Sequence, residues 1–421
     1  MIPVQRRFAL SAKTKFEPLI MSSAAARTMN PIRRIVDMMK INPNPSKKLI
    51  PLTIGDPTIH GNFKAPPHLS ELIHKSLESY DFNGYPHACG IKEAREAVAR
   101  THSVPNRAPV SVDDVILTCG CSQAIDMAIS VLANPGEHNI LIPRPGFSLY
   151  QTLCKSKGIS TKYYSLNPEK KWECDLEEMA SLIDDKTAAI LINNPSNPCG
   201  SNFTREHIQD IISLAESRNL PIIADEIYEH MVFGASAYTS FAEVSDNVPI
   251  IHVGGLAKQF MIPGWRLGWL VLHDRHERFG HVRKGLMDLS TLTLGPTSVV
   301  QSIVPALLEK TPEQYYKDVI NQLEDNVKVI KDHLSNTPGL HLIEPQGAMY
   351  VMVGLDESVL GNDVEFSTNL VEEESVFVLP GSVFEMPNYI RIVITSPREI
   401  LKEACERIHE FCARTAKRQN V

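Results

Sequence analysis

Pro221-Ile222-Ile223-Ala224-Asp225-Glu226-Ile227-Tyr228 is the stretch on which the fold turns. Three apolar residues follow a proline and stop at an acid. A run this short and continuous reads as a strand buried on both faces. The same pattern repeats on either side. Val115-Ile116-Leu117 leads into a helical stretch from Gln123 to Ala128, and Ile140-Leu141-Ile142 ends at a proline turn. Ala188 to Ile192 ends in Asn193-Asn194-Pro195, Arg205 to Ser217 has helical periodicity, and Ile250 to Val253 runs into Gly254-Gly255. Short apolar strands separated by amphipathic helices predict an α/β fold with a mostly parallel sheet covered on both faces. Such sheets bind ligands at the carboxyl ends of their strands.

Farther out the pattern changes. Residues 1–46 form a Pro-, Asn- and Ser-rich arm with a short helix through Pro31-Ile32-Arg33-Arg34-Ile35-Val36. Residues 47–85 are expected to form a small-domain segment and linker, and 86–300 the large domain. A smaller α+β domain is expected over 301–421. It would carry a long helix from Pro312 to Leu334, strands at Ala348–Val353 and Tyr389–Ile394, and a closing helix from Ile400 to Ala413.

Composition narrows the function classes. The 421 residues include 42 Lys and Arg against 49 Asp and Glu, for a formal net charge of -7. Hydrophobic residues at 43% and charged ones at 22% suit an ordinary globular chain with a large core. The mild acidity argues against a general nucleic-acid binder, and no apolar stretch approaches a membrane span. Eight scattered cysteines do not form a disulfide framework. Cys119 and Cys121, flanking Gly120, are too close for a structural zinc site without a second pair. The run His273-Asp274-Arg275-His276, with His281 nearby, reads as a solvated polar segment, so no metal is expected. Asn202-Phe203-Thr204 fits a glycosylation sequon by chance. A reducing, cytoplasmic setting is expected. The alternative is mitochondrial, since Arg6, Arg7, Lys13 and Lys15 precede the first acid at Glu17.

The chemistry is concentrated at the expected strand ends. Asp225 with Tyr228 could tune a heteroaromatic cofactor: the carboxylate would hold a ring nitrogen protonated and the phenol would donate to a ring oxygen. An ordinary loop acid beside a half-buried tyrosine is the plain alternative. Lys258, in Gly254-Gly255-Leu256-Ala257-Lys258, lies in an apolar segment that favours a neutral, nucleophilic amine. Arg266 sits in Gly264-Trp265-Arg266-Leu267-Gly268-Trp269, where a guanidinium wants an anion, either a phosphate or a structural carboxylate. Gly120-Cys121-Ser122 would open a helix and offer its N–H groups to a phosphate, unless Ser122 is only a cap. Nucleoside triphosphate and dinucleotide fingerprints are absent.

These motifs occur in one order, with Asn193-Asn194-Pro195-Ser196-Asn197-Pro198-Cys199-Gly200 before Asp225 and Tyr389-Ile390-Arg391 after Arg266. Together they resemble the class I, fold type I pyridoxal-phosphate aminotransferases, from about Asn30 to Cys412. Gly55-Asp56-Pro57-Thr58, Asn83-Gly84-Tyr85, Arg144-Pro145-Gly146-Phe147-Ser148-Leu149-Tyr150 and Gly347-Ala348-Met349-Tyr350 are most similar to the branch acting on tyrosine. The resemblance implies pyridoxal 5'-phosphate as cofactor, with Lys258 as its Schiff-base lysine and proton carrier. Asp225 would pair with the pyridinium, Tyr228 and Asn197 would bond the ring oxygen, and Phe147 would stack on the ring. Gly120, Cys121, Ser122 and Arg266 would hold the phosphate, while Arg391, with Gly55 and Asn197, would bind substrate. Tyr85 would reach the neighbour's phosphate in a homodimer with shared sites. Small amino acids and 2-oxo acids are the implied partners, with the amino group of L-tyrosine passing to 2-oxoglutarate through a ping-pong cycle. A broader aromatic or alanine-type aminotransferase, or a β-lyase on the same fold, remains the alternative. One departure stands out: Gly255 occupies the place where many relatives carry a phosphate-binding serine.

Overall fold

The structure, a computed structural model, describes residues 18–39 and 41–419. The basic leader with Arg6, Arg7, Lys13 and Lys15 lies outside the described residues. Eight strands form the larger sheet: β1 (Val115–Thr118), β2 (Asn139–Arg144), β3 (Ser160–Asn167), β4 (Glu173–Cys174), β5 (Thr187–Asn193), β6 (Ile222–Asp225), β7 (Ile250–Gly255) and β8 (Gly268–His273). Their spatial order is β1-β8-β7-β6-β5-β2-β3-β4. From β7 to β3 neighbouring strands are parallel, whereas β8 runs antiparallel between β1 and β7, and β4 antiparallel to β3.

Alternation along each strand explains why the apolar runs are continuous. Ile223, Ile251, Val253, Ile140 and Leu191 meet one set of helices, including α3 (Cys121–Leu132) and α4 (Ser148–Lys157), through Ile125, Ile129 and Tyr150. Ile222, Ala224, Ile250, Leu141 and Ile190 face the other way, onto Ile208, Ile211 and Ile212 of α5 (Arg205–Ser217). Both faces are covered, so period-2 polarity disappears.

The smaller sheet comprises β9 (Leu340–Leu342), β10 (Tyr350–Leu355), β11 (Leu379–Pro380) and β12 (Tyr389–Val393), antiparallel in the order β9-β10-β12-β11. Leu323, Val327 and Ile330 of the long helix Glu313–Leu334 pack with Leu401, Cys405 and Ile408 of the helix Arg398–Gln419 against Val351, Val353, Ile390 and Ile392. Ile50–Pro51 pairs with Val376–Phe377, which brings the start of the chain to this side. The arm's helix α1 (Pro31–Met38) is real: Asn30 caps it, and Ile32, Ile35 and Val36 lie on Leu379, Val383 and Phe384. The helix α2 (Lys92–Thr101) precedes β1.

One expectation needs correction. His273 is not part of a solvated run; it ends β8, and burial pushes its imidazole down to about 3. The antiparallel strand β8 itself was not anticipated, because the glycines and tryptophans around Arg266 read as site residues. Elsewhere the eight cysteines are all unpaired. Asn202 of the sequon is buried and donates to the Ala237 carbonyl. Among the described residues no helix is long and apolar enough to cross a membrane.

Candidate active site

Four strands deliver polar groups to one cavity of about 580 Å³. Asp225 ends β6, Asn193 ends β5, Gly120 follows β1, and Lys258 lies in the one-turn helix Leu256–Gln259 after β7. Gly55, Cys121, Ser122, Phe147, Asn197, Asp225, Tyr228, Lys258, Arg266 and Arg391 all line the cavity. Gly120 is not part of that lining but immediately precedes Cys121, which is. Tyr85 does not join them, and is 91% exposed.

Asp225 is a buried acid without a cation partner among the described residues. Its Oδ2 accepts from the Tyr150 hydroxyl at 2.7 Å, and its Oδ1 from the Ile227 N–H at 3.4 Å and the Cys121 thiol at 3.7 Å. Burial raises its pKa, and these donors pull the other way. Burial also raises the Cys121 thiol well above its ordinary range, keeping it a donor. Lys258 Nζ donates to the Gly55 carbonyl at 2.5 Å. The backbone at Gly55 passes so near Tyr350 that a Cβ there would lie 2.3 Å from its hydroxyl.

Arg391 presents the opposite imbalance. It is 3% exposed, with Nη1 donating to Asn197 Oδ1 at 3.0 Å and Nη2 to the Thr53 carbonyl at 2.6 Å. Its Nε has no partner, and the rings of Tyr350 and Phe384 lie 4.5 and 4.8 Å from its carbon. Burial lowers its pKa. Tyr228 and Tyr350 share a hydroxyl–hydroxyl bond of 2.9 Å, and burial raises Tyr228 well above the usual phenol range.

Arg266 differs from its expected surroundings. Trp269 turns into the core, and the Arg266 side chain is exposed toward the cavity, donating to the carbonyls of Pro263 at 3.0 Å and Cys119 at 3.4 Å. It lies across Gly120, whose φ is 81°; a Cβ there would come 2.6 Å from Nη2. Gly120 therefore serves both the left-handed backbone and the close approach of the guanidinium. Phe147 precedes α4 and meets Tyr150 edge-on at 5.7 Å.

The missing serine has a steric cause. A Cβ at Gly255 would lie 2.8 Å from Gly268 Cα and 2.9 Å from the Leu267 carbonyl, across the β7–β8 pairing. Several partners were not read from sequence. Tyr150 and Tyr350 stood in quoted motifs without a role, and Asn193, which donates to the Asp225 carbonyl at 3.0 Å, likewise had none. Ile32, Arg33 and Val36 of α1 line the cavity with no signal near them in the chain.

The description "Aminotransferase class I and II" matches residues 47–408. The chain belongs to that family. Mouse tyrosine aminotransferase is 50% identical over 395 residues, 93% of this chain and 87% of the relative. Among solved structures, tyrosine aminotransferase from Leishmania infantum superposes with a TM-score of 0.91 at 38% identity, covering 95% of this chain and 99% of that one. Alanine aminotransferase from Pyrococcus furiosus gives 0.88 at 29%, over 94% and 100%. The fold is thus fold type I, and the cofactor is pyridoxal 5'-phosphate. The residues present fit that group: a cavity amine, a buried carboxylate lacking a cation, and a helix N-terminus beside a guanidinium.

Proposed function

We propose that the chain transfers the amino group of L-tyrosine to 2-oxoglutarate, giving 4-hydroxyphenylpyruvate and L-glutamate in two ping-pong half-reactions. The observation that carries this reading is the pair of unmatched buried charges across one cavity. Among the described residues Asp225 has no cation partner and Arg391 no anion partner. A protonated pyridine nitrogen answers the first and an α-carboxylate the second. When bound, pyridoxal phosphate supplies an electron-withdrawing ring that stores the electron pair released at the substrate's Cα and carries the amino group between half-reactions.

Lys258 Nζ would hold the cofactor and, as a free amine, would carry the substrate's Cα proton. Gly55 orients that amine through its carbonyl. Asp225 would keep the ring nitrogen protonated, with Tyr150 fixing the carboxylate. Tyr228 and Asn197 would donate to the ring oxygen, and Phe147 would pack against the ring. The N–H groups opening α3, with Ser122 and Arg266, would hold the phosphate. Arg391 clamps the substrate carboxylate, with its charge concentrated between two aromatic rings. Ile32, Val36, Phe377 and Leu379 give the cavity an apolar wall suited to an aromatic side chain.

The exposed Tyr85 supports a homodimer in which it reaches the partner's phosphate. Eight unpaired cysteines support a cytoplasmic, reducing setting. A steady-state panel of tyrosine, phenylalanine, alanine and glutamate against 2-oxoglutarate and pyruvate tests the reading. Tyrosine with 2-oxoglutarate should give the highest kcat/KM among pairs with an aromatic donor, and ammonia release in place of glutamate would overturn it.

A further inference from the structure

Next to Asp225 in the chain lies a second cluster of titratable groups that transamination does not use. His102 caps the C-terminus of α2, Glu226 and Glu229 follow β6, and His252 lies within β7. His252 is 1% exposed, and its Nδ1 lies 2.6 Å from Glu226 Oε2. Glu226 is fully buried and also accepts from Ser240 Oγ at 2.8 Å and the Phe241 N–H at 2.9 Å. A carboxylate oxygen accepts and His252 Nδ1 donates to it, which leaves Nε2 as the ring nitrogen available to a ligand. That Nε2 is buried with no partner.

His102 packs beside His252. Its side chain is 7% exposed, its Nε2 is buried without a partner, and its ring centroid lies 4.3 Å from that of His252. Its Nδ1 is 3.8 Å from Glu229 Oε2. Glu229 is 12% exposed, and among the described residues its ion-pair contacts are that one and one with His230 Nε2 at 3.6 Å. One ligand atom each from His102, Glu229 and His252 falls within 4.8 Å of the others. Trp269 Nε1 is also buried and unpartnered; a Cβ on Gly254 would lie 2.5 Å from it and 3.0 Å from His252 Nε2.

Core histidines are usually satisfied by hydrogen bonds; among the described residues, two adjacent imidazoles keep an unused nitrogen each, beside a carboxylate that accepts no hydrogen bond. We propose that His102, His252 and Glu229 bind a zinc ion. Two imidazoles and a carboxylate suit zinc, whereas calcium and magnesium require oxygen ligands. Glu226 serves as the outer carboxylate that sets the His252 tautomer, the usual support of a metal-bound histidine. Zinc bonds of about 2.0–2.1 Å in a tetrahedron put ligand atoms roughly 3.4 Å apart, so the side chains draw together by about an ångström. A water completes the shell and accepts from Trp269 Nε1. His230, 37% exposed and beside Glu229, marks the side on which the ion enters. Zinc here ties the end of α2 to the turn after Asp225 and to the strand leading to Lys258.

The test uses the holoenzyme, stripped of metal and titrated with Zn²⁺ in competition with a chromophoric chelator. The expected result is one zinc per chain and a raised Tm. Glu226→Gln should weaken binding by about 10–100-fold, and His102→Gln or His252→Gln by more. Co²⁺ on the wild-type protein provides a readout that needs no variant: weak visible bands without thiolate charge transfer support the site. Thiolate bands, which would point to Cys119 or Cys121, no binding by the wild type, or equal binding by folded variants would each overturn it.

Discussion

Arg391 lies between the rings of Tyr350 and Phe384, with two of its nitrogens engaged and Nε free. Its planar fork is what a lysine cannot supply. Arg391→Lys should weaken both tyrosine and 2-oxoglutarate by about 1.5–3 kcal/mol, the range for a charge-assisted hydrogen bond. Cofactor affinity should hold, and half-reaction titrations measure both; lost cofactor with intact substrate affinity would contradict the assignment. Asp225 carries the opposite charge and a stability consequence. Because burial raises its pKa, the folded apoprotein binds that proton more tightly than the unfolded chain. Stability from this group is fully present below the unfolded value of about 3.9 and declines as pH rises toward the raised folded value. Asp225→Asn removes the loss, so the apo variant should melt above apo wild type at pH 7. Its turnover should nevertheless fall by orders of magnitude. A lower apo Tm would show that the carboxylate is not strained by burial.

At the scale of elements, the pairing of β7 with β8 explains Gly255. A serine there would push its Cβ against Gly268 and the Leu267 carbonyl. Gly255→Ser should cost about 1–3 kcal/mol by overpacking, read as a lowered Tm in thermal melts. Tighter cofactor binding at unchanged Tm would mean that the hydroxyl simply restores a phosphate contact. The same pairing shows what a sequence reveals. β5, β6 and β7 were legible because a doubly covered parallel strand must be apolar throughout and must stop where the cavity begins. Asp225 and Lys258 were legible for the same reason, standing where those runs end. β3 was not, since Ser160–Asn167 is only partly buried and keeps polar residues. β8 was missed because its Gly268 reads with the Arg266 motif; that glycine serves close backbone approach, since a Cβ there would lie 2.6 Å from the Cys121 nitrogen. Tyr150 could be found only through Asp225, 75 residues away. The zinc cluster had no signal at all, its three ligands being spread from 102 to 252.

Over the whole molecule, the cavity draws on chain segments from Ile32 to Arg391 and on both sheets. Arg391 of β12 reaches Asn197 beyond β5, so the smaller sheet completes a site that the larger one begins. The proposed dimer adds a third contribution. Tyr85→Phe and Lys258→Ala homodimers should each be defective, whereas their hybrid should hold one wild-type site with restored cofactor affinity. Unrepaired affinity in isolated hybrids would contradict the shared-site dimer.

The central claim is that Lys258, Asp225 and Arg391 serve one amino-transfer site for tyrosine. It is tested most directly by a single half-reaction: holoenzyme mixed with L-tyrosine in the absence of any 2-oxo acid, with keto acid and cofactor absorbance followed together. The expected result is one equivalent of 4-hydroxyphenylpyruvate per site, conversion of the cofactor to its amine form, and a rate lower by about 10²–10⁴-fold or more in Lys258→Ala through loss of the general base. Ammonia in place of retained amino group, or an unchanged rate in Lys258→Ala, would contradict it.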